Sequence, residues 1–415
     1  MLAILSAPGS RGDVNPMVAI GRELRQRGFD VLIAMSQPYV EVARAAGLTA
    51  HPIIDKEQFD QMLGDPAVWK TVRGARAVLR AMSQHFVMPH HELIRQHHRP
   101  GETILVSHPL DFASRVIHES DPATPVFDVH LQPVLLRNMH QPPRMTPWWF
   151  EPSGPAWLLR SLFWAADHFG LDPVIRPAVN QLRNQYGLPP VRRIMNDYWL
   201  SPHRIIAMYP QWFAPSTSVF APRLQYAGFP LQDNDDQPFT PPPDRPVVFT
   251  AGTAHHHCKQ FFIQAAKTCR ELNQPGILLT SYQQNIPDDL PANVRACSYV
   301  SLSELLPHCQ AIVHHGGIGT TSQAFAASIP QVVRPMAFDQ FDNATRVRDL
   351  GCGVWLKNDR GLTDAVRQVT SDTDIQNSCI AIGKKSINGS ETQSGVTKAI
   401  DIIMNDLSTM NVKVP

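Results

Sequence analysis

Residues 313–321 read VHHGGIGTT, a short apolar run that leads into a glycine turn and then into a helix. Glycines let backbone N–H groups approach an anion, and a helix N-terminus adds roughly half a positive charge at the same place. In an open α/β sheet, ligands bind where a strand ends in this way. The stretch therefore predicts a phosphate-binding turn on a parallel sheet, and the alternative is a tight turn without a ligand.

The spacing of this turn differs from two common phosphate motifs. It does not read GxGxxG, and the chain contains no GxxxxGK followed by serine or threonine. Nicotinamide redox chemistry and P-loop chemistry are therefore disfavoured. His315 in the turn offers a hydrogen-bond donor, or a positive charge, to a diphosphate.

Strand and helix signals alternate on both sides of the turn. Apolar runs at 247–250, 276–280, 331–333 and 353–356 are separated by segments of helical length. This alternation is typical of a doubly wound α/β domain with a parallel sheet.

The N-terminus predicts a second domain of the same kind. Residues 2–7 and 31–35 read as strands, and a helix is expected from Pro16 to about residue 27, with Asn15 as its N-cap. Since 415 residues exceed what one core of roughly 250–300 residues can hold, two domains are expected. The proline- and acid-rich segment 228–246 indicates a linker.

Composition limits the partners. With 37 basic and 36 acidic side chains the formal net charge is +1, so no global field attracts nucleic acid. The six cysteines form no C-x-x-C pair, which fits a reducing cytosol. We expect no signal peptide and no membrane span, because no apolar stretch approaches about 20 residues.

Several polar residues are candidates for chemistry. Asp13, in the glycine loop after the first strand, is a candidate general base whose pKa burial would raise once substrates close over it, or a turn residue. Asp339 and Gln340 can read adjacent sugar hydroxyls, or cap a helix. The ring of Tyr299, expected to end a strand, can stack on a base or pack in the core.

Two further patterns have both a functional and a structural interpretation. Aromatic residues crowd between residues 135 and 220, which suits an apolar acceptor cleft or a packed core. Arg73, Arg76 and Arg80 fall along one side of a predicted helix, which indicates an ordinary exposed face or a membrane-surface contact.

We expect no metal ion. Adjacent histidines at 255–257 point apart on an extended loop, and the D-x-D patterns at 233–235 and 372–374 lie in the linker and at a helix start.

Three motifs together resemble a known family. Residues 9–16 (GSRGDVNP), 314–321 (HHGGIGTT) and 338–344 (FDQFDNA) are similar to the nucleotide-sugar-dependent inverting glycosyltransferases of the GT-B fold. That family includes UDP-glycosyltransferases and sterol glucosyltransferases. The likeness is greatest to the rhamnosyltransferases of mono-rhamnolipid synthesis, at residues 227–231 and 305–307 among others.

The resemblance implies two Rossmann-like domains that face each other across a cleft. Residues 1–235 would bind the acceptor, residues 236–390 the nucleotide sugar, and a helix in 391–415 would pack back on the first domain. Asp13 matches the family's catalytic base. The donor-site positions are Thr253, Tyr299, His315, Gly316, Gly317, Gly319, Thr320, Gln323, Asp339 and Gln340. Gln323 stands where many members carry a glutamate that binds the ribose. The deoxyribose of a dTDP-sugar would need less hydrogen bonding from this residue.

These implications predict an inverting, metal-independent hexosyltransferase without a cofactor other than its sugar donor, dTDP-rhamnose or UDP-glucose. The aromatic segment favours an apolar acceptor, first a β-hydroxyalkanoyl lipid and next a sterol or polyketide aglycone. Its candidate contacts are Trp148, Trp149, Trp164 and Phe213. An alternative of another class is a non-catalytic nucleotide-sugar-binding protein. We expect a cytoplasmic protein with small-molecule partners, no nucleic acid, and weak peripheral association with the inner face of the membrane.

Overall fold

The computed structural model describes residues 1–65, 67–68, 70–147, 153–216, 222–231, 239–253, 258–388 and 394–410. The chain divides into two compact units. Unit 1 comprises Met1–Pro143, Pro152–Pro230 and Gln393–Pro415, and unit 2 comprises Arg144–Glu151 and Leu231–Thr392. Each unit contains one parallel sheet, which confirms the fold class predicted from the sequence.

The strands are β1 (Leu2–Ala7), β2 (Asp30–Ser36), β3 (Thr49–Ile54), β4 (Thr103–Ser107), β5 (Val126–His130), β6 (Arg204–Ala207), β7 (Leu224–Tyr226), β8 (Val247–Thr250), β9 (Gly276–Leu279), β10 (Val294–Cys297), β11 (Ala311–His314), β12 (Gln331–Val333) and β13 (Gly353–Trp355). The α-helices are α1 (Arg11–Gln26), α2 (Val40–Ala45), α3 (Lys56–Gly64), α4 (Thr71–His85), α5 (Val87–His97), α6 (Ala113–Ser120), α7 (Ala156–Ala166), α8 (Asp172–Gln185), α9 (Lys259–Leu272), α10 (Leu302–Leu305), α11 (Ile318–Ala326), α12 (Gln340–Asp349), α13 (Leu362–Ser371), α14 (Thr373–Asn388) and α15 (Gly395–Thr409).

The sheet of unit 1 has the strand order β3-β2-β1-β4-β5-β6-β7, and all of its pairs are parallel. Strand β1 is apolar and almost wholly buried because apolar layers cover both faces of the sheet. The chain runs outward from β1 to β3 and then returns to β4 on the other side of β1. The reversal creates a topological switch point between β1 and β4, where α/β sheets bind ligands.

Helix α1 begins earlier than the sequence predicted. Its first residue is Arg11 and its N-cap is Ser10, so the expected start at Pro16 with Asn15 as N-cap is wrong. Pro16 lies inside the helix, where it removes the hydrogen bond that its own N–H would make to the carbonyl of Gly12 and where its ring crowds that carbonyl. Interactions between Ser10 and Asp13, described below, stabilise the earlier turn.

The last helix, α15, belongs to unit 1. Its apolar side, which includes Val396, Ile400 and Ile403, is buried in the same core as α1. The guanidinium of Arg204 holds it at the other end, donating to both carboxylate oxygens of Asp406 at 2.5 and 2.8 Å. A two-pronged arginine–carboxylate pair of this kind fixes orientation as well as contact.

Unit 2 has the strand order β10-β9-β8-β11-β12-β13, also parallel throughout. Its switch point lies between β8 and β11. Helix α11 begins at Ile318, so Gly319, the third glycine of the turn, lies in its first turn. Strand β10 ends at Cys297, so Tyr299 lies two residues beyond the strand that it was expected to end.

Candidate active site

The carboxylate of Asp13 is held in the first turn of α1. Its Oδ2 accepts a hydrogen bond from the backbone N–H of Ser10 at 3.0 Å and from the Ser10 hydroxyl at 3.3 Å. A Cβ placed on Gly9 would lie 2.2 Å from the same oxygen. Only glycine at position 9 therefore leaves room for the carboxylate. This steric limit, and not a positive φ, explains why the loop has a glycine at this position.

A histidine from the neighbouring strand contacts the same carboxylate. His108 directly follows β4, and its Nε2 lies 3.4 Å from Asp13 Oδ1. The backbone N–H of Leu110 donates to Nδ1 of this ring at 3.2 Å, so the proton is placed on Nε2, facing Asp13. His108 is a site residue that the sequence analysis missed.

These contacts determine the protonation of Asp13. Burial acts to raise its pKa, but the hydrogen bond and charge of His108 and the hydrogen bonds from Ser10 outweigh it, so the pKa lies below its ordinary value. The sequence analysis expected a raised pKa with substrates bound. The net shift in the structure is downward, so Asp13 is an ionised carboxylate at neutral pH.

The glycine turn of unit 2 contains three glycines, and the space available for a side chain differs among the three positions. Gly316 has a φ of +91°, and a Cβ there would lie 2.8 Å from Val333 and 3.0 Å from the carbonyl of Gln340. A Cβ on Gly317 would lie 2.5 Å from Nε2 of His315. Around Gly319 there is open space. The first two glycines shape the turn, whereas Gly319 leaves the helix N-terminus uncovered.

His315 lies between two stretches of backbone from opposite sides of the switch point. A Cβ on Gly252, which follows β8, would lie 2.6 Å from its ring, and a Cβ on Gly317 would lie 2.5 Å from it. The ring is therefore fixed beside the first turn of α11, whose leading N–H groups have no acceptor within the helix. A fixed imidazole beside such a helix start can bind an anion.

The sugar-hydroxyl candidates Asp339 and Gln340 are linked to the turn. Asn343 donates through Nδ2 to the carbonyl of Gly316 at 2.8 Å and to Oδ2 of Asp339 at 2.9 Å. Oε1 of Gln340 accepts from the N–H groups of Met336 and Ala337, so this amide would meet a sugar through its nitrogen. The structure thus brings the turn and both candidates together, and Asn343 is a second residue that the sequence analysis missed.

Phe338, just before this pair, has a φ of +56°. A bulky side chain in the left-handed region costs about 1–3 kcal/mol, and such strain clusters at functional sites. Here it directs Asp339 toward Asn343 at the start of α12.

The remaining donor-site candidates occupy separate positions in unit 2. Thr320 and the buried Gln323 lie on α11. Thr253 is exposed after β8, and its carbonyl accepts from the hydroxyl of Tyr282 at 2.9 Å. Tyr299 is 40% exposed and follows β10, three strands from β11, or about 14 Å along the sheet.

The candidate acceptor-binding residues differ in their exposure to solvent. Trp148 and Trp149 lie outside the described residues. Trp164 on α7 is 45% exposed. Phe213 is only 3% exposed and packs against Tyr209 and Phe229, as the core interpretation of the aromatic segment predicts.

Two histidines that end strands are structural. His130 at the end of β5 and His314 at the end of β11 are fully buried, and burial lowers the pKa of each to about 4. His314 accepts from the N–H of Gly316 and contacts Oε1 of Gln331, so it supports the glycine turn as a neutral imidazole.

Within the described part of the chain, no cluster of histidine, cysteine and acidic side chains has the geometry of a metal site. The histidines at 255–257 lie outside it. Across the same residues, every helix is too short or too polar to cross a bilayer.

Comparison with protein families assigns a known domain to each unit. Residues 3–127 match the glycosyltransferase family 28 N-terminal domain. Residues 276–390 match the C-terminal domain of the erythromycin biosynthesis protein CIII-like family. The first match contains Asp13 and His108, and the second contains the glycine turn and Asp339.

Two curated relatives illustrate the likeness. The chain is 28% identical over 389 residues to the O-mycaminosyltylonolide 6-deoxyallosyltransferase of Streptomyces fradiae, covering 85% of this chain and 84% of the relative. It is 34% identical over 121 residues to the sterol 3-beta-glucosyltransferase of Vanderwaltozyma polyspora, covering 29% of this chain. That match spans only 10% of the yeast protein's length.

Solved structures share the fold over nearly the full chain. The glycosyltransferase of kitacinnamycin superposes with a TM-score of 0.73 at 18% identity, covering 98% of both chains. The glycosyltransferase VinC in complex with dTDP superposes with a TM-score of 0.67 at 19% identity, covering 99% of this chain and 100% of the other. With two parallel-sheet units, one matching a glycosyltransferase N-terminal domain and the other the C-terminal domain of the CIII-like family, the chain is a glycosyltransferase with the GT-B fold.

Proposed function

We propose that this protein transfers a hexose from a nucleoside diphosphate sugar to the hydroxyl of an apolar acceptor, by a single displacement that inverts the anomeric carbon. The observation that carries the proposal is the ionised carboxylate of Asp13, oriented by Ser10 and His108 at the switch point of unit 1. An ionised, oriented carboxylate is suited to accept a proton.

In the proposed reaction, Asp13 accepts the proton of the acceptor hydroxyl while the acceptor oxygen attacks the anomeric carbon. The bond from that carbon to the diphosphate oxygen breaks. The N–H groups that begin α11, together with His315, stabilise the negative charge on the departing diphosphate. His108 keeps its Nε2 proton and orients Asp13 throughout, so it is a positioning residue.

For the donor, we propose a sugar held by Asp339 and by the amide nitrogen of Gln340. Asn343 links Asp339 to the glycine turn and so relates the sugar hydroxyls to the diphosphate. The uncharged Gln323 favours a deoxyribose over a ribose partner. The complex of the similarly folded VinC with dTDP supports a thymidine donor, for which dTDP-rhamnose is the first candidate and UDP-glucose the second.

For the acceptor, a β-hydroxyalkanoyl lipid is the first candidate, because of the motifs that are similar to those of rhamnolipid synthesis. A macrolide or sterol aglycone is the second. It is favoured by the names of the two relatives, which act on a tylonolide and on sterols.

The test is a product screen by mass spectrometry. The purified protein is incubated with dTDP-rhamnose or UDP-glucose and with a β-hydroxyalkanoyl lipid, a sterol or a macrolide aglycone. We expect one donor and acceptor pair to give a glycoside with inverted configuration, and Asp13→Asn to give none while still binding dTDP. Donor binding without transfer to any acceptor would instead support a non-catalytic nucleotide-sugar-binding protein. Full activity of Asp13→Asn would remove Asp13 from its role.

A further inference from the structure

Unit 1 exposes an unusual set of large apolar side chains on α7 and the π-helical turn that follows it. Trp157 and Phe169 are 67% and 69% exposed, and Leu162 and Trp164 are 46% and 45% exposed. We call these four residues the aromatic ridge. Leaving such side chains in water forgoes roughly 1.5–3 kcal/mol each, and contiguous exposed apolar groups usually mark a binding surface.

The aromatic ridge is an ordered surface. On α7, Leu159 is buried, while Trp157 and Trp164, seven residues apart, lie on the opposite side of the helix. The ring of Trp164 stacks on His168 with centroids 5.0 Å apart and an interplanar angle of 10°. It also meets the edge of Phe169 at 5.9 Å. The rings therefore support one another outside the core.

A stripe of positive charge adjoins the ridge. Helix α4 packs against the π-helical turn Asp167–Leu171, which carries Phe169. Arg73, Arg76 and Arg80 are exposed along one side of α4, opposite the buried Leu79 and Met82. We call these three residues the arginine stripe.

The surroundings of the ridge and the stripe contain no exposed acidic side chain among residues 71–85 and 153–171. The only acidic residue in these two segments is Asp167, which is buried and paired with Arg137. Arg160, on the outward side of α7, adds a further exposed positive charge. The two segments are thus apolar and cationic, while α3, which packs against α4, and its C-cap expose Glu57, Asp60 and Asp65, and the chain as a whole has a net charge of only +1.

We propose that the aromatic ridge and the arginine stripe dock unit 1 on the surface of a bilayer that contains anionic phospholipid. Tryptophan, phenylalanine and leucine enter the boundary between headgroups and acyl chains, and arginines beside them pair with lipid phosphates. The docking is reversible, because the ridge has few apolar residues. It does not depend on the transfer reaction, so the two can fail separately.

The test uses the full-length protein and sedimentation with vesicles of neutral phosphatidylcholine or of phosphatidylcholine mixed with phosphatidylglycerol. We expect binding to the mixed vesicles, with a blue shift of tryptophan fluorescence, and much weaker binding to neutral vesicles. High salt should weaken the binding, since it screens the arginines.

Two sets of variants separate the contributions. The triple variant Arg73→Glu, Arg76→Glu and Arg80→Glu should weaken binding to mixed vesicles at least about tenfold. The double variant Trp157→Ser and Phe169→Ser should weaken it on both vesicle types. The matched control is Arg360→Glu, Lys384→Glu and Lys385→Glu, which makes the same change of charge at exposed positions of unit 2 and should keep the binding.

Thermal unfolding shows whether each variant folds, and the single changes Arg76→Glu and Phe169→Ser replace any combination that does not. Failure of the wild-type protein to bind mixed vesicles would overturn the proposal. So would an equal loss of binding in the unit 2 control. Self-association through the ridge, seen as a mass in light scattering that falls in the double variant while vesicle binding is unchanged, would also overturn it.

Discussion

Gly9→Ala should disable the enzyme, because the new methyl group displaces the neighbouring carboxylate of Asp13. The new Cβ would lie 2.2 Å from Oδ2, 2.6 Å from Cγ and 2.8 Å from Cβ of Asp13. Reaching ordinary contact requires the carboxyl group to shift by about 1 Å, a misplacement that typically lowers turnover about 100-fold. The shift also weakens the 3.0 Å hydrogen bond from Ser10 and the 3.4 Å contact with His108.

The assay is the initial rate of glycoside formation at saturating donor and acceptor, with dTDP affinity measured in parallel. Gly12→Ala is the matched control, because the nearest atom to its Cβ, Oγ of Ser10, is 3.9 Å away and alanine suits a helix interior. We expect Gly9→Ala to lose turnover and keep dTDP affinity, and Gly12→Ala to keep both. Wild-type turnover in Gly9→Ala would refute the reasoning that Asp13 must be held at this point.

Three further outcomes follow from the same geometry. Replacing His315 by alanine should lower kcat about 10²–10³-fold, the usual effect of losing one preorganised donor to a developing anion, and unchanged kcat in steady-state assays would contradict its role. His108→Ala removes the hydrogen bond and the electrostatic interaction of His108, which lower the pKa of Asp13, and leaves burial, which raises it, and the hydrogen bonds from Ser10, which lower it. The acid limb of the kcat/KM profile should therefore move to higher pH, and a limb that stays in place would show that another group titrates. Burial lowers the pKa of His130 and His314 to about 4, so below about pH 6.5 the unfolded chain binds protons that the folded chain does not. The free energy of unfolding should therefore be greatest above about pH 6.5 and should fall by roughly 3 kcal/mol for each histidine as the pH is lowered to about 4. Denaturant titrations at several pH values measure this loss, and a flat profile would contradict it.

The start of α1 shows why local rules gave the wrong boundary. Asn15 and Pro16 are a favourable N-cap and first residue, and they predict a start there when only neighbours are considered. The structure starts the helix at Arg11, where hydrogen bonds from Ser10 to Asp13 hold the first turn, and Pro16 lies inside the helix. The structure therefore places the predicted base, Asp13, in a helical turn instead of in a loop.

The contact between Asp13 and His108 shows a different limit of prediction from the sequence. His108 follows β4 as Asp13 follows β1, and the rule that neighbouring parallel strands end at one edge would have joined them. That rule requires knowing that β1 and β4 are neighbours, although nearly a hundred residues separate Asp13 and His108. Asn343 was likewise within a quoted motif, but its bond to Gly316 is visible only once β11 and β12 lie side by side.

By itself, the sequence determined the elements and the chemistry of single positions: two alternating α/β patterns, the glycine turn at 316–319, and a carboxylate after the first strand. These follow from periodicity, glycine and helix-end effects, all of which act within a few residues. Tertiary structure alone decided which of those positions meet, because strand order places β1 beside β4 and β8 beside β11. It also decided that Phe213 is buried while Trp157, Trp164 and Phe169 face water, since burial depends on what packs against a helix and not on its own sequence.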